Sequence, residues 1–200
     1  MPIGDPLITA QASVSIALGG NLGDPIATLT AVRPLLIREL HSWAAGAAPQ
    51  LVLGWSPLFR TAPVGGPPGQ PPFVNGVLLV ARAAGGREPW PDALALLGRL
   101  QGLEARFGRK RLEPWGPRSL DLDLLWCGEA RCSTPQLELP HPRLRQRAFV
   151  IGPLAAIEAQ LVLPGGHQTA AALLAELLSR PGAEPPPLPL PAREGWPETV

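Results

Sequence analysis

The chain has little lysine, little cysteine and almost no net charge. Lys110 is the one lysine among 17 basic residues, and the formal net charge is +1. Bulk electrostatics therefore give no sign of a nucleic-acid partner or of an acidic membrane surface. Cys127 and Cys132 lack the second pair that a metal-binding set needs, and we expect reduced thiols rather than a disulfide.

Long hydrophobic runs are also missing. No stretch approaches 18 apolar residues free of charge or proline, and the N-terminus has no basic segment followed by an apolar run. We therefore expect a cytoplasmic protein without a membrane span or secretory signal. The length of 200 residues suits one domain with a core of moderate size.

Proline is the exception, with 27 residues, and it is densest near the C-terminus. We predict a loose leader at 1–12, one folded domain at 13–180, and a disordered or polyproline tail at 181–200. A docking role of this tail for a proline-recognising partner is conceivable on composition alone.

Between these ends, strand and helix patterns alternate. Apolar and β-branched runs predict strands at 13–18, 51–59, 73–81 and 120–125, and helical spacing predicts helices from Pro25, from 91 to 107, at 148–157 and at 169–178. Pro34 should kink or split the first helix. The order β-α-β-β-α-β with extra C-terminal helices predicts an α+β, ferredoxin-like fold, with helices packed on one face of an antiparallel sheet.

The most informative segment reads WGPRSLDLDLLW, residues 115–126. Asp121 and Asp123 alternate with leucines, so both carboxylates should leave one face of a strand while the leucines at 120, 122 and 124 enter a core. Two such acids repel unless a cation lies between them, and hard oxygen ligands suit magnesium. The competing interpretation is a polar-faced edge strand with a salt bridge to Arg118.

Cations cluster on both sides of this segment. Arg109, Lys110, Arg111 and Arg118 precede the acids, and a loop that carries them could close over a triphosphate. His141 is held rigidly between two prolines, with further arginines after it. The alternatives are a solvated basic turn and a structural histidine.

Aromatic side chains flank the same polar groups. Phe73, Trp115 and Phe149 with Asn75 would suit a flat heterocycle that is stacked between rings and hydrogen-bonded by an amide. For any single ring, simple core packing is the stronger interpretation.

Taken together, these segments resemble the 6-hydroxymethyl-7,8-dihydropterin pyrophosphokinases of folate synthesis. The likeness rests on IALGGNLGDP, on LFRTAPVGG followed by QPPFVNGVLLV, on GRKRLEPWGPRSLDLDLLWCGE and on LPHPRLRQRAFVIGPLAAI. These segments occur in the family's order and span roughly residues 13 to 178. The chain departs from the usual pattern at Gly20, where serine is common, at Phe59, where tyrosine is common, and in the leader and tail, which have no counterpart.

The resemblance implies a ferredoxin-like fold, ATP as co-substrate and two magnesium ions. It implies transfer of the β,γ-pyrophosphoryl group to the hydroxymethyl oxygen of the pterin, with release of AMP. It also implies roles for individual residues: Asp121 and Asp123 as metal ligands, Arg109 and Arg118 as catalytic phosphate-gripping arginines, Glu104 and His141 with these arginines at ATP, and Thr61, Val64, Phe73, Asn75, Trp115, Arg147 and Phe149 at the pterin.

The main rival function is a βαββαβ nucleic-acid-binding module without catalysis. Such modules display aromatic residues in a basic strand motif, which this sequence lacks. We therefore expect small-molecule substrates and no nucleic-acid or membrane partner.

Overall fold

A computed structural model describes residues 9–44, 51–83, 89–110 and 115–197. The strands are β1 (Ser13–Gly20), β2 (Leu51–Trp55), β3 (Phe59–Thr61), β4 (Phe73–Arg82), β5 (Asp121–Cys127), β6 (Cys132–Ser133), β7 (Glu138–Leu139) and β8 (Leu188–Pro189). The helices are α1 (Pro25–Ala44), α2 (Ala93–Arg106), α3 (Ala148–Ile157) and α4 (Ala170–Ser179). Within these ranges, every helix is too short or too polar to cross a bilayer.

The main sheet is antiparallel and runs in the order β5-β1-β4-β3-β8, with β2 also paired to β4. β6 and β7 form a small separate hairpin. If β2 and β3 are counted as one interrupted strand, the central order is that of the predicted ferredoxin-like βαββαβ fold, which is confirmed.

Helices cover both faces of the sheet rather than one. Ile16 and Leu18 of β1 share a core with α1 and α2, together with Leu120, Leu122 and Leu124 as the alternation predicts. The opposite face packs against α3 and α4 in a second core. α3 and α4 cover only part of that second face, and the open remainder forms a cleft.

The predicted strand at 51–59 is interrupted at Ser56-Pro57. The Ser56 hydroxyl accepts a hydrogen bond from the Val77 amide at 2.9 Å, and the Ser56 amide donates to the Val77 carbonyl at 2.9 Å. Pro57 has no amide to continue the ladder, so the strand resumes only at Phe59. Pro34 was predicted to kink or split the first helix; the split was wrong, because α1 continues through Pro34.

The prediction of a disordered tail is contradicted for residues 181–197. β8 pairs with the edge of β3, and Trp196 is buried in the first core. Composition favoured disorder because proline cannot donate to a ladder, but an edge strand needs only some of its amides. In the predicted leader, residues 1–8 lie outside the described range, while Ala10 lies in a short 3-10 turn and is buried.

Both cysteines carry free thiols, as expected.

Candidate active site

A cleft of about 440 Å³ opens where β1 ends and where β4 and β5 begin. The loop after β3 and the segment before α3 complete its walls. Every predicted site residue except Glu104 lines it. These residues are Thr61, Val64, Phe73, Asn75, Arg109, Trp115, Arg118, Asp121, Asp123, His141, Arg147 and Phe149. Segments more than 80 residues apart in sequence thus line one cleft.

The acid pair lies on β5 directly opposite β1. Asp121 pairs with Gly19 and Asp123 with Ala17. The two carboxylates therefore lie next to a stretch of β1 that carries no long side chain on this face of the sheet. Asp121 forms ion pairs with Arg109 and with Arg118, whose Nε lies 3.1 Å from its Oδ2. Among the described residues, Asp123 forms no ion pair of this kind, so the two acids differ in their surroundings.

This difference appears in the protonation of Asp123. The Asp123 side chain is exposed to the open cleft, yet desolvation of its carboxyl group by the surrounding cleft walls raises its pKa from 3.8 to about 7. The negative charges of Asp121 and Glu104 act in the same direction, and Arg109 and Arg118 only partly oppose them. A cation between the acids would relieve this repulsion.

The raised pKa of Asp123 predicts that this residue's contribution to stability is lost as pH rises from about 4 to about 7. In this window the unfolded chain has released the proton that the folded chain still holds, so the free energy of unfolding falls with increasing pH. Asp123→Asn removes the titration, and its stability should show a smaller fall. Urea unfolding of both proteins between about pH 4.5 and about 7.5 measures the difference, and parallel curves would contradict the prediction.

Glu104 stands behind the cleft rather than in its wall. It is only 3% exposed, and its carboxylate accepts a hydrogen bond from the Leu122 amide at 2.8 Å and pairs with Arg109. Arg109 is therefore gripped from two sides, by Glu104 on α2 and by Asp121 on β5. This grip fixes a guanidinium beside the acids.

Arg118 is held through its backbone by a residue that sequence analysis did not single out. The Asn21 side chain accepts from the Arg118 amide at 2.8 Å and donates to the Pro71 carbonyl at 3.1 Å, while the Asn21 amide donates to the Arg118 carbonyl at 2.9 Å. Asn21 is 4% exposed. Asn21 thereby connects the turn after β1 to the loops on either side of the cleft. Its position directly after Gly19-Gly20 was the signal that the sequence offered for this role.

His141 presents a neutral ring to the cleft. Its Nδ1 accepts from the Arg143 amide at 3.1 Å, which leaves Nε2 as the protonated donor. Burial of the ring, assisted by the charges of Arg143 and Arg147, lowers the pKa of His141 below its ordinary value of 6.5. The ring is thus a hydrogen-bond donor at neutral pH rather than a cation.

The opposite wall of the cleft is aromatic. Asn75 Nδ2 donates to Thr61 Oγ1 at 2.7 Å, which fixes both side chains beside Phe73. Phe149 lies at the start of α3, and the Arg147 guanidinium lies 5.5 Å from its ring centroid. This wall offers two rings and an oriented amide to a ligand.

Trp115 closes the top of this wall in a strained backbone conformation, with φ of 61°. Its ring packs against Gly65, where a Cβ would lie 2.4 Å from Trp115 Cε3, so only glycine fits. Arg143 stacks over the indole at 4.1 Å and Arg147 lies over it at 5.2 Å. Arg143 is a cleft residue absent from the predicted site set, although the run of arginines after His141 indicated an anionic ligand.

Within the described residues, no cluster of three or more His, Cys, Asp or Glu side chains could by itself enclose a metal ion. Asp121 and Asp123 supply two carboxylates in an open cleft. Magnesium commonly binds to one or two protein carboxylates and completes its shell with phosphates and water. The donor set therefore fits magnesium that binds together with a polyphosphate, not a closed structural site.

Comparisons with known proteins agree with one another. A family described as 7,8-dihydro-6-hydroxymethylpterin-pyrophosphokinase (HPPK) matches residues 15–159. The 2-amino-4-hydroxy-6-hydroxymethyldihydropteridine pyrophosphokinase of Pseudomonas aeruginosa is 40% identical over 154 residues, which are 77% of this chain and 85% of that protein. Its namesake from Synechocystis is 34% identical over 162 residues, 81% of this chain and 74% of that protein. The Haemophilus influenzae protein of the same name is 37% identical over 156 residues, 76% of this chain and 85% of that protein.

Solved structures support the fold. The wild-type HPPK-DHPS of Plasmodium falciparum with SDX-DHP aligns with a TM-score of 0.53 at 12% identity, and with pteroate at 0.58 and 10%. Each alignment covers 84% of this chain and 44% of the longer fused chain. At this identity the likeness shows the fold alone.

Proposed function

Since this chain belongs to the 7,8-dihydro-6-hydroxymethylpterin-pyrophosphokinase family, it transfers pyrophosphate from ATP to 6-hydroxymethyl-7,8-dihydropterin in folate biosynthesis, and we propose which residues perform each part of this reaction. The nucleic-acid-binding alternative has no support from the family assignment. The observation that carries the residue roles is the division of one cleft into a charged wall and an aromatic wall.

The aromatic wall takes the pterin. Phe73 and Phe149 stack against the two faces of the ring, and Asn75, oriented by Thr61, hydrogen-bonds to its edge. Val64 and Trp115 cover the ring from the loop side. Arg147, between Trp115 and Phe149, adds a cation at the boundary with the charged wall.

The charged wall takes the triphosphate. Arg109 and Arg118 lie beside Asp121, and their guanidinium groups are placed to grip phosphate oxygens of the nucleotide. His141 donates from Nε2 to an oxygen of the α-phosphate, consistent with its neutral ring. Glu104 acts through Arg109, which it holds in position.

Asp121 and Asp123 would hold two magnesium ions that arrive with the nucleotide. When bound, these ions would supply charge neutralisation at the phosphates and would lower the pKa of the attacking hydroxyl. The protein itself holds the pterin hydroxymethyl oxygen in line with the β-phosphorus. As the new oxygen–phosphorus bond forms, the bond from the β-phosphorus to the α,β-bridging oxygen breaks and AMP departs. We also infer a cytoplasmic location, because the reaction consumes ATP.

Arg118→Ala should slow the chemical step more than it weakens pterin binding. Removing a charged donor aimed at developing phosphate charge costs about 10²- to 10³-fold in rate, whereas the Arg118 contact with Phe73, 5.3 Å from guanidinium to ring centroid, contributes little to binding. Single-turnover AMP formation and equilibrium binding of the pterin separate the two effects. Arg131→Ala, in an exposed turn after β5, is the control. An unchanged single-turnover rate in Arg118→Ala would refute its role in phosphate transfer.

A further inference from the structure

The last described segment of the chain crosses the pterin side of the molecule. We call residues 184–197 the C-terminal strap. Its strand β8 pairs with β3, where Phe59 is opposite Pro189 and Arg60 opposite Leu188, and the Leu190 amide donates to the Leu58 carbonyl at 2.7 Å. The strap therefore covers the edge of the short strand that carries Thr61.

Trp196 anchors the far end of the strap. It is 6% exposed, its Nε1 donates to the Ser56 carbonyl at 2.8 Å, and its ring meets Trp55 edge-to-face at 5.3 Å. Its Cζ2 would lie 3.3 Å from a Cβ added to Gly76, the residue after Asn75. The anchor thus packs against the end of β2 and against β4, behind the aromatic wall.

Glu184 connects the near end of the strap to the cleft. Its Oε2 accepts from the Ala148 amide at 3.1 Å, where α3 begins and a negative charge is favourable. Its Oε1 lies 3.8 Å from Nη1 of Arg147. The two side chains are 22% and 14% exposed, so water screens this pair less than it screens a surface pair.

Arg147 is in turn part of the cleft wall, between Trp115 and Phe149. A long side chain needs a partner to hold one rotamer over these rings, because the lost freedom otherwise opposes the ordered state. Within the described residues, Glu184 is the acidic partner of Arg147. The acid comes from the segment whose composition suggested a disordered tail.

We propose that the C-terminal strap is a positioning element for pterin binding, in which Glu184 orients Arg147 and β8 supports the strand that carries Thr61. This role rests on the proposed contact between Arg147 and the pterin. Glu184 is a positioning residue and touches no substrate. The strap acts on the pterin side and leaves the nucleotide side, at Arg109 and Arg118, to its own supports.

Glu184→Gln tests the charge while keeping an acceptor for the Ala148 amide. We expect KM for the pterin at saturating ATP and magnesium to rise about fivefold, the size of one part-buried ion pair. KM for ATP and kcat should stay within about twofold of the wild type, a split that general destabilisation would not produce. Glu176→Gln, which removes an exposed pair with Arg180, is the matched control and should change none of the three values.

The variant Arg147→Ala separates the two levels of the proposal. In the Arg147→Ala background, Glu184→Gln should have no further effect on KM for the pterin, because the two residues act as one unit. If Arg147→Ala raises this KM but Glu184→Gln does not, or if Glu184→Gln acts equally in both backgrounds, the strap's role is overturned and the pterin role of Arg147 stands. If Arg147→Ala leaves the KM unchanged, the pterin role of Arg147 fails and the strap's role fails with it.

Discussion

Asp123→Ala and Asp121→Ala should each lower AMP release about a thousandfold or more, because each removes a carboxylate from the site that binds the magnesium ions. The two variants should differ in stability. Asp123→Ala removes a repelling charge and should leave the free energy of unfolding unchanged or raised. Asp121→Ala leaves Arg109 and Arg118 without their shared partner and should lower it by about 1–3 kcal/mol.

The measurements are steady-state AMP release, urea unfolding and a count of bound manganese in the presence of a non-hydrolysable ATP analogue. The wild type should bind two manganese ions and either variant fewer. Glu129→Ala, in the exposed turn after β5, is the control and should match the wild type in all three. Near-normal turnover in both aspartate variants would eliminate the metal assignment, and one bound ion in the wild type would eliminate the second metal.

Trp196→Ala should lower the free energy of unfolding by about 3–5 kcal/mol, the usual cost of emptying a buried tryptophan site. The change removes an indole that is 6% exposed, its hydrogen bond to the Ser56 carbonyl and its edge-to-face contact with Trp55. This loss distinguishes a folded tail from a disordered one, in which the same substitution would not change the free energy of unfolding.

Leu188→Ala provides the control, since it lies on β8 but is 58% exposed and should change stability by less than about 0.5 kcal/mol. Equilibrium unfolding in urea measures both variants. If Trp196→Ala unfolds at the same midpoint and with the same slope as the wild type, the strap contributes nothing to the fold.

The central part of the fold follows from local sequence, because period-two alternation and helical spacing are short-range signals. Asp121 and Asp123 on one face with Leu122 and Leu124 on the other is such a case. The interruption after Trp55 had a local signal in Pro57, but the hydrogen bond between Ser56 and Val77, 21 residues away, is a tertiary contact that no local window contains.

Sequence reasoning found the residues that line the cleft more readily than the residues that hold them in place from behind. Asn21 bridges to Arg118 and Pro71, and Glu104 grips Arg109 from behind the cleft, so their parts depend on tertiary contacts. The tail was misjudged because proline density outweighed a single tryptophan. Trp196 in this proline-rich segment was the local signal that the segment packs against a core.

The register of the sheet also fixes a distance across the floor of the cleft. Asn75 on β4, Gly19 on β1 and Asp121 on β5 lie in one row, so the amide and the acid are two strand spacings apart, roughly 9–10 Å. A Cβ on Gly19 would lie 2.3 Å from Asn75 Oδ1, which keeps the row bare between its ends. The backbone therefore sets the distance between the amide proposed for the pterin and the acid proposed for the metal, and a register slip, which would turn every side chain of β1 over, would break this row.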